Sequence, residues 1–547
     1  MVREKIKKII ADSVKALEKE KKLPKLKTLE ILVEYPKEKS HGDYSTNTAM
    51  LLAKQVGDKP GKMAILLCDR IKKEMDRKTT LRRKTILEEV KVAKPGFINF
   101  FLSKEYLQKQ IKKILKEKEK FGNLKIGKGQ KVNIEFISAN PTGPLTLGNG
   151  RGGFCGDVLA NVLEKADFEV TREYYINDVG EQIRKLGHSV IGDAQAVYKG
   201  KYITTLQERI KGEDPNKVGE EAAKIILEEM IKPAIKKMGI KFDVWFSEKS
   251  LYKNKEVDKI LDLLKKKKLT YKKEDALWFK STKFGDDKDR VLVRANGEKT
   301  YFASDIAYLG NKFERGFKKL IFFLGADHAG YVKRMEAAVC ALGHKKDQVE
   351  FIIMQLVRLF EKGKQIRMSK RSGVYITLEE LIDEIGLDVA RFFFLARSAG
   401  SHLNFDLDLA KERSEKNPVY YVQYAHARIC SILKKANNEQ ATTNNKKNCS
   451  LFNVPCSLLN HPSELGLIKQ LIRFSEIIED TAKDYQVQRL PQYAIDLATA
   501  FHQFYRDCRV ISEERKLTQA RLALISATKI VLKDILNLMG ISAPEKM

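Results

Sequence analysis

Lys131-Val-Asn-Ile-Glu-Phe-Ile-Ser-Ala-Asn-Pro-Thr-Gly-Pro-Leu-Thr-Leu-Gly-Asn-Gly-Arg-Gly-Gly153 is the stretch on which the reading of the fold turns. Residues 131–137 alternate, with Val132, Ile134 and Phe136 on one face, as a strand does. A Pro/Gly-rich loop follows. Beyond it Phe154, Val158, Leu159, Val162 and Leu163 recur at helical spacing. Phe168 to Ile176 then reads as a second strand. Strand, Gly-rich loop, helix and strand make a βαβ unit, the building block of a parallel sheet. Open sheets of this kind bind ligands at the carboxyl ends of their strands. The N-terminus of the helix there offers free N–H groups and a positive dipole end to phosphate. Gly148 and Gly150 would let a ligand approach the backbone, and Thr146 and Asn149 would supply side-chain hydrogen bonds. An ordinary strand-to-helix turn has the same composition, so the loop alone does not settle function.

A second unit of the same kind lies downstream. Leu320 to Leu324 is a short apolar strand, followed by Gly-Ala-Asp327-His328-Ala-Gly-Tyr331, a helical stretch to Leu342, and another apolar strand from Phe351 to Leu359. Asp327 and His328 sit at a strand end, where they either line a pocket or cap the next helix. After the last strand comes Gln365-Ile-Arg-Met-Ser-Lys-Arg-Ser-Gly373. This is either a solvated basic turn or a loop that brackets a polyphosphate, with Lys370 as a point charge. Between the two units, roughly 187–290, the chain is charged and mostly helical, as an insertion would be. The first hundred or so residues form a separate unit with an amphipathic helix (Ile6, Ile9, Ile10, Val14, Leu17) and the strand-like Gly96-Phe-Ile-Asn-Phe-Phe-Leu102. From about Leu409 onward strand signals cease and amphipathic helices follow. The expected fold is therefore α/β, with a Rossmann-type parallel-sheet domain at 125–408 split by an insertion at about 187–290. An appended N-terminal α+β domain, 1–124, precedes it, and an all-α domain, 409–547, follows it.

Composition narrows the function. Lys plus Arg number 102 against 72 Asp plus Glu in 547 residues, a formal net charge of +30. That surplus points to a polyanionic partner, nucleic acid first. The plain alternative is a lysine-rich proteome that raises the charge of every chain. No apolar run approaches the ~20 residues of a membrane span, and the basic start is a half-buried helix, not a signal peptide. The seven cysteines are scattered without a CxxC pair. Neither a structural metal nor a disulfide framework is expected, and the chain reads as cytoplasmic.

With these residues in view, the chain resembles the class I aminoacyl-tRNA synthetases, and within them the arginyl-tRNA synthetases. Thr146-Leu-Gly-Asn149 is similar to the family's HIGH-type loop, and Arg367-Met-Ser-Lys-Arg371 to its KMSKS-type loop. Ile134 to Pro144, Arg172-Glu-Tyr-Tyr-Ile-Asn-Asp178, Thr300-Tyr-Phe-Ala-Ser-Asp305, Leu324-Gly-Ala-Asp-His328 and Asn417 to Arg428 look like arginyl enzymes in particular. So does the N-terminal His41-Gly-Asp-Tyr-Ser-Thr-Asn47. The family usually carries His where this chain has Thr146 and Asn149, and Lys where it has Arg367. Hydroxyl and amide groups can still donate hydrogen bonds there.

The resemblance implies ATP-dependent attachment of L-arginine to tRNA(Arg) through an arginyl-adenylate, with Mg²⁺ accompanying ATP. It implies catalytic roles for Thr146, Gly148, Asn149 and Lys370, and ATP contacts from these with Asp327, His328, Arg367, Met368 and Ser369. Arginine would be held by Glu135, Ser138, Asn140, Tyr301 and Asp305. The C-terminal helices would bind the anticodon, with Tyr424 and Arg428 on the face that meets tRNA. The enzyme would be a monomer. Two other readings address parts of the pattern. A small-molecule nucleotidyltransferase explains the two βαβ halves but not the helical tail. An RNA-binding paralogue without activation explains Thr146 and Asn149 but not the retained Lys370, Glu135, Tyr301 and Asp305.

Overall fold

A computed structural model describes residues 1–26, 28–80, 86–366, 376–442 and 454–547. Its centre is a five-stranded, all-parallel sheet built from β1 (Lys131–Glu135), β2 (Glu169–Ile176), β3 (Val244–Ser247), β4 (Lys319–Gly325) and β5 (Val349–Met354). The strand order is β5-β4-β1-β2-β3. Order reverses between β1 and β4, the switch point where doubly wound sheets open a crevice for ligands. The helix α1 (Leu147–Lys165) makes the β1-to-β2 crossover, and α2 (Tyr301–Glu314) leads into β4. The alternation in β1 is not an inside–outside pattern. Val132, Asn133, Ile134 and Glu135 are all buried, because helices cover both faces of a parallel sheet, and the polar pair faces a buried ionic network.

The span 187–290, expected as a mostly helical insertion, contains more than helices. Its β3 pairs in parallel with Tyr174 to Ile176 and forms an edge of the main sheet. Ala276–Phe279 is the central strand of a separate three-stranded sheet and pairs antiparallel with Thr270–Lys273 on one side and Arg290–Val293 on the other. Short four-residue strands between charged helices carry too little periodicity to stand out in the sequence.

Beyond the main sheet, β6 (Val357–Glu361), β7 (Lys364–Ile366) and β8 (Leu403–Asp406) form a small sheet, and α3 (Leu378–Ile385) packs on the start of α1. The described residues from 409 onward contain no strand. Their long helices are α4 (Pro418–Thr442), α5 (Pro462–Asp484), α6 (Arg489–Asp507) and α7 (Arg515–Leu538). Arg391, 1% exposed, ties this bundle to α1: it donates to Asp157 at 2.8 Å and to the carbonyl of Met539 at 3.0 Å.

The N-terminal unit has an antiparallel sheet of Tyr44–Thr46, Phe97–Leu102 and Leu87–Ala93. It docks on the C-terminal helices. Glu476, fully buried on α5, accepts from the hydroxyls of Tyr35 and Tyr44 and from the Arg3 N–H, while Lys469 pairs with Asp43 at 2.6 Å. Phe121 stacks on Phe474.

Candidate active site

Two clusters meet at the carboxyl end of β1. The backbone leaves the strand through Ile137 (φ 67°) and Ser138 (φ 35°). Neither residue is glycine and one is β-branched, so the turn is strained, as turns at functional sites often are.

The first cluster is a cleft of about 430 Å³ at the switch point. Its lining includes Ile137, Thr146, Leu147, Gly148, Asn149 and Gly152 from one side, and Phe323 to Asp327 and Met354 to Val357 from the other. Thr146 caps α1. Its N–H and its hydroxyl both donate to Asn149 Oδ1, at 2.9 and 2.8 Å. The threonine hydroxyl is therefore spent locally, and the Asn149 amide N–H₂ is the donor left to face a ligand.

The glycines of α1 divide into two faces. On the cleft side a Cβ at Gly152 would meet open space, and one at Gly148 would meet only the Thr146 hydroxyl at an ordinary 3.8 Å contact. A Cβ at Gly150 would lie 2.6 Å from Leu378, and one at Gly156 would lie 2.4 Å from Phe136. The room at Gly150, expected for a ligand, is filled by Leu378. The same contact pins the start of α3, since the Leu378 N–H donates to the Leu145 carbonyl at 3.1 Å and Thr377 bridges to Thr146. Asp327 lines the cleft, whereas His328 is exposed beside it. Arg367, Met368, Ser369 and Lys370 lie outside the described residues, between β7 and α3.

The second cluster is acidic. Glu135 and Glu173 face a fully buried Lys312, whose Nζ lies 2.9 and 3.1 Å from them. Tyr308 donates to both carboxylates, and Arg315 adds a two-pronged contact to Glu173 at 2.7 and 2.9 Å. Burial alone would raise Glu173, but Lys312 and Arg315 hold it down at about 2. Asp305 and Glu248 have no such cation, and neither forms an ion pair among the described residues. Burial, then the nearby Glu248 and Glu135, push the Asp305 carboxyl well above the usual range, and Arg334 opposes this from a distance. Burial pushes Glu248 up to about 7, against the hydrogen bonds it receives from Tyr175 and Ser304. Tyr331 donates to Asp305. Ser138 donates to Glu135 at 3.3 Å and accepts from the Tyr175 N–H at 3.1 Å. Tyr301 stands at the rim, 46% exposed, its hydroxyl accepting from the Glu181 N–H. Asn140 is exposed.

Glu248 is a member of this cluster that no sequence motif marks, and Tyr175, from the Arg172–Asp178 stretch, is its hydrogen-bond partner. Glu248 opens a helix directly after β3, and strand ends are where sites form. Recognising Val244 to Ser247 as a sheet strand would have marked it.

Far from both clusters, Tyr424 and Arg428 share the exposed face of α4, with Tyr424 41% exposed. Tyr424 stacks on His502, and Arg428 lies over the Tyr505 ring at 5.1 Å. His426 is buried and bonded to the Pro544 carbonyl.

Comparison with known proteins agrees along the whole chain. Residues 4–102 match the arginyl tRNA synthetase N-terminal domain, 110–393 the catalytic domain of class I (R) tRNA synthetases, and 422–547 the DALR anticodon binding domain. An arginine–tRNA ligase of Acetivibrio thermocellus is 43% identical over 100% of this chain and 99% of its own length. One from Carboxydothermus hydrogenoformans is 46% identical over 94% of each. The fold is that of the Thermus thermophilus arginyl-tRNA synthetase, at TM-score 0.78 and 22% identity with both chains fully covered.

Proposed function

The chain belongs to the class I arginyl-tRNA synthetases, and we propose how its residues divide the work of that reaction. The reaction itself is the ATP-dependent attachment of L-arginine to tRNA(Arg). Arginine carboxylate attacks the α-phosphorus of ATP, giving arginyl-adenylate and pyrophosphate. A terminal ribose hydroxyl of the tRNA then attacks the activated carbonyl and AMP leaves. No covalent bond to the enzyme is needed, so catalysis is positioning and charge stabilisation.

In this assignment the switch-point cleft takes ATP. The α1 N-terminus, the Asn149 amide and the space over Gly148 receive its phosphates, and the Phe323–Asp327 and Met354–Val357 walls flank the nucleoside. Lys370, with Arg367, Met368 and Ser369, stabilises the departing pyrophosphate. Mg²⁺ arrives with ATP, held by its phosphates and water. Arginine enters the acidic cluster. Asp305 and Glu248 accept the guanidinium, whose planar fork suits paired carboxylates. Tyr301 closes the rim, and Glu135, Ser138 and Asn140 take the α-amino end. Residues 1–124 and 409–547 serve as tRNA-binding domains around the catalytic domain, with Tyr424 and Arg428 stacking on anticodon bases. The enzyme acts as a cytoplasmic monomer.

The observation that carries the arginine assignment is the pair of carboxylates, half-buried Asp305 and buried Glu248, without an ion-pair partner among the described residues beside a neighbouring pair that has two. Asp305→Asn tests it. Removing one partner of a buried ion pair costs roughly 3–5 kcal/mol, so the arginine KM should rise steeply and the preference over citrulline should collapse. Arginine kinetics equal to those of the unaltered enzyme would remove Asp305 from the pocket.

A further inference from the structure

Arg151, one turn into α1, is 0% exposed. Its Nη1 donates to the Gln355 carbonyl at 2.7 Å and its Nη2 to the Ser398 carbonyl at 2.8 Å, while Nε has no partner among the described residues. It forms no ion pair among the described residues. The titratable group that acts on it is Cys155, whose thiol burial pushes up to about 12, so it is neutral. Arg391, equally buried, shows the ordinary solution: its charge is met by Asp157 at 2.8 Å. A buried cation bonded only to neutral carbonyls is expensive, and a carboxylate-paired arginine would serve a purely mechanical purpose better.

Its partners are not arbitrary. Gln355 lines the cleft opposite Gly148 and Asn149. Its N–H donates to the Ala399 carbonyl at 2.9 Å, and the Leu403 N–H donates to the Leu356 carbonyl at 3.1 Å. The Met354–Val357 wall and the turn at Ser398 are thus cross-tied and lead into β6 and β8, which pair in parallel. The guanidinium is a side-chain tie between this unit and the first turns of α1.

From this we infer that Arg151 is a positioning residue for adenylate formation: without itself lining the cleft, it fixes the nucleoside-facing wall to the phosphate-facing end of α1, and places an uncompensated positive charge behind the helix end that receives the polyphosphate. The inference rests on the switch-point cleft being the ATP site. It predicts that ATP binding, rather than arginine binding, is sensitive to this residue.

The test is aminoacylation by the full-length enzyme with ATP varied at saturating arginine and tRNA, and with arginine varied at saturating ATP. Arg151→Met removes charge and both bonds; its KM for ATP should rise about tenfold or more, and its KM for arginine should stay within about twofold. Arg151→Lys keeps the charge and should recover part of the loss. A structural defect that only lowers the folded fraction would reduce kcat and leave both KM values alone. An ATP KM within about twofold of the unaltered enzyme in both variants overturns the inference. A Lys variant no better than Met overturns its electrostatic part. If Arg151→Met does not fold, Arg151→Lys decides, with a rise of about threefold or more expected. Asn149→Ala runs alongside. If it raises the ATP KM while the Arg151 variants do not, this inference falls and the cleft assignment stands. If none of them raises it, the cleft assignment falls.

Discussion

Glu248 is the most informative residue to perturb, because stability and function should move in opposite directions. Its carboxyl sits at about 7 against an ordinary 4.5, raised by burial. A carboxyl raised in the folded state stabilises the fold below its unfolded value and loses that contribution as pH rises through the folded value. That elevation corresponds to about 3 kcal/mol at pH 8 and above. Glu248→Gln removes the ionisation and keeps the shape, so the arginine-free variant should be more stable than the parent at pH 8 by up to that amount, and indistinguishable near pH 4. Arginine binding should follow the reverse sign, since a guanidinium needs the ionised form. With a value of about 7, roughly one molecule in eleven is ionised at pH 6 and ten in eleven at pH 8, so Glu248 by itself should strengthen arginine affinity about tenfold over that interval, about 1.4 kcal/mol, and any steeper slope belongs to Asp305. Calorimetric titration with arginine at several pH values reads the slope, and thermal unfolding without ligand reads the stability. In Glu248→Gln the affinity should be weaker and its dependence on pH over this range much flatter. An unchanged slope in the variant would show that Glu248 is not the group that titrates. A variant destabilised at pH 8 would show that the carboxylate is satisfied in the free enzyme, contrary to the argument.

Three further outcomes are expected. Gly148→Ala should leave stability unchanged or raise it by up to about 1 kcal/mol, since Ala is the better helix former, yet lower kcat/KM for ATP; Gly150→Ala, which forces a contact with the buried Leu378, should cost about 1–3 kcal/mol as read by denaturant unfolding. Tyr424→Ala should raise the KM for tRNA by the loss of one stacked base, about 1–3 kcal/mol, and leave tRNA-independent ATP binding unaltered. Deleting residues 1–124 should weaken tRNA binding and flatten its salt dependence, and should also lower the melting temperature of the remainder, because Phe474 and Glu476 lose Phe121, Tyr35, Tyr44 and Arg3; equal melting temperatures would mean that the docking of this unit on α5 adds no stability.

The main lines of the fold were legible because they rest on long periodic signals: the βαβ unit around Leu147–Lys165, its downstream partner at Lys319–Met354, and helices of more than twenty residues near the C-terminus. The edge strand Val244–Ser247 was not, since four residues flanked by charged helices have no period to detect. That one omission concealed Glu248, whose importance depends on its place at a strand end. The polar residues of β1 show a second limit. Asn133 and Glu135 alternate with apolar neighbours as solvent-facing residues would, and only the contacts reveal that they face Lys312 instead.

Chemistry within motifs was legible by type and not by direction. Thr146, Gly148 and Asn149 fall together at the cleft as the loop pattern suggested, but the Thr146 hydroxyl turns to Asn149 Oδ1 and leaves the amide as the outward donor. Gly150 looked like its neighbour Gly148. A helix advances 100° per residue, so two positions apart they occupy nearly opposite faces, one over the cleft and one against Leu378. The same geometry makes the Thr-x-x-Asn form of this loop physically coherent. A side chain at the cap and one three residues on are neighbours, so replacing two imidazoles by a hydroxyl and an amide exchanges two independent donors for one donor held rigidly by the other. Loss of a second donor is offset by that rigidity and by the N–H groups of α1 at the same spot, which is why a loop without histidine can still face a triphosphate.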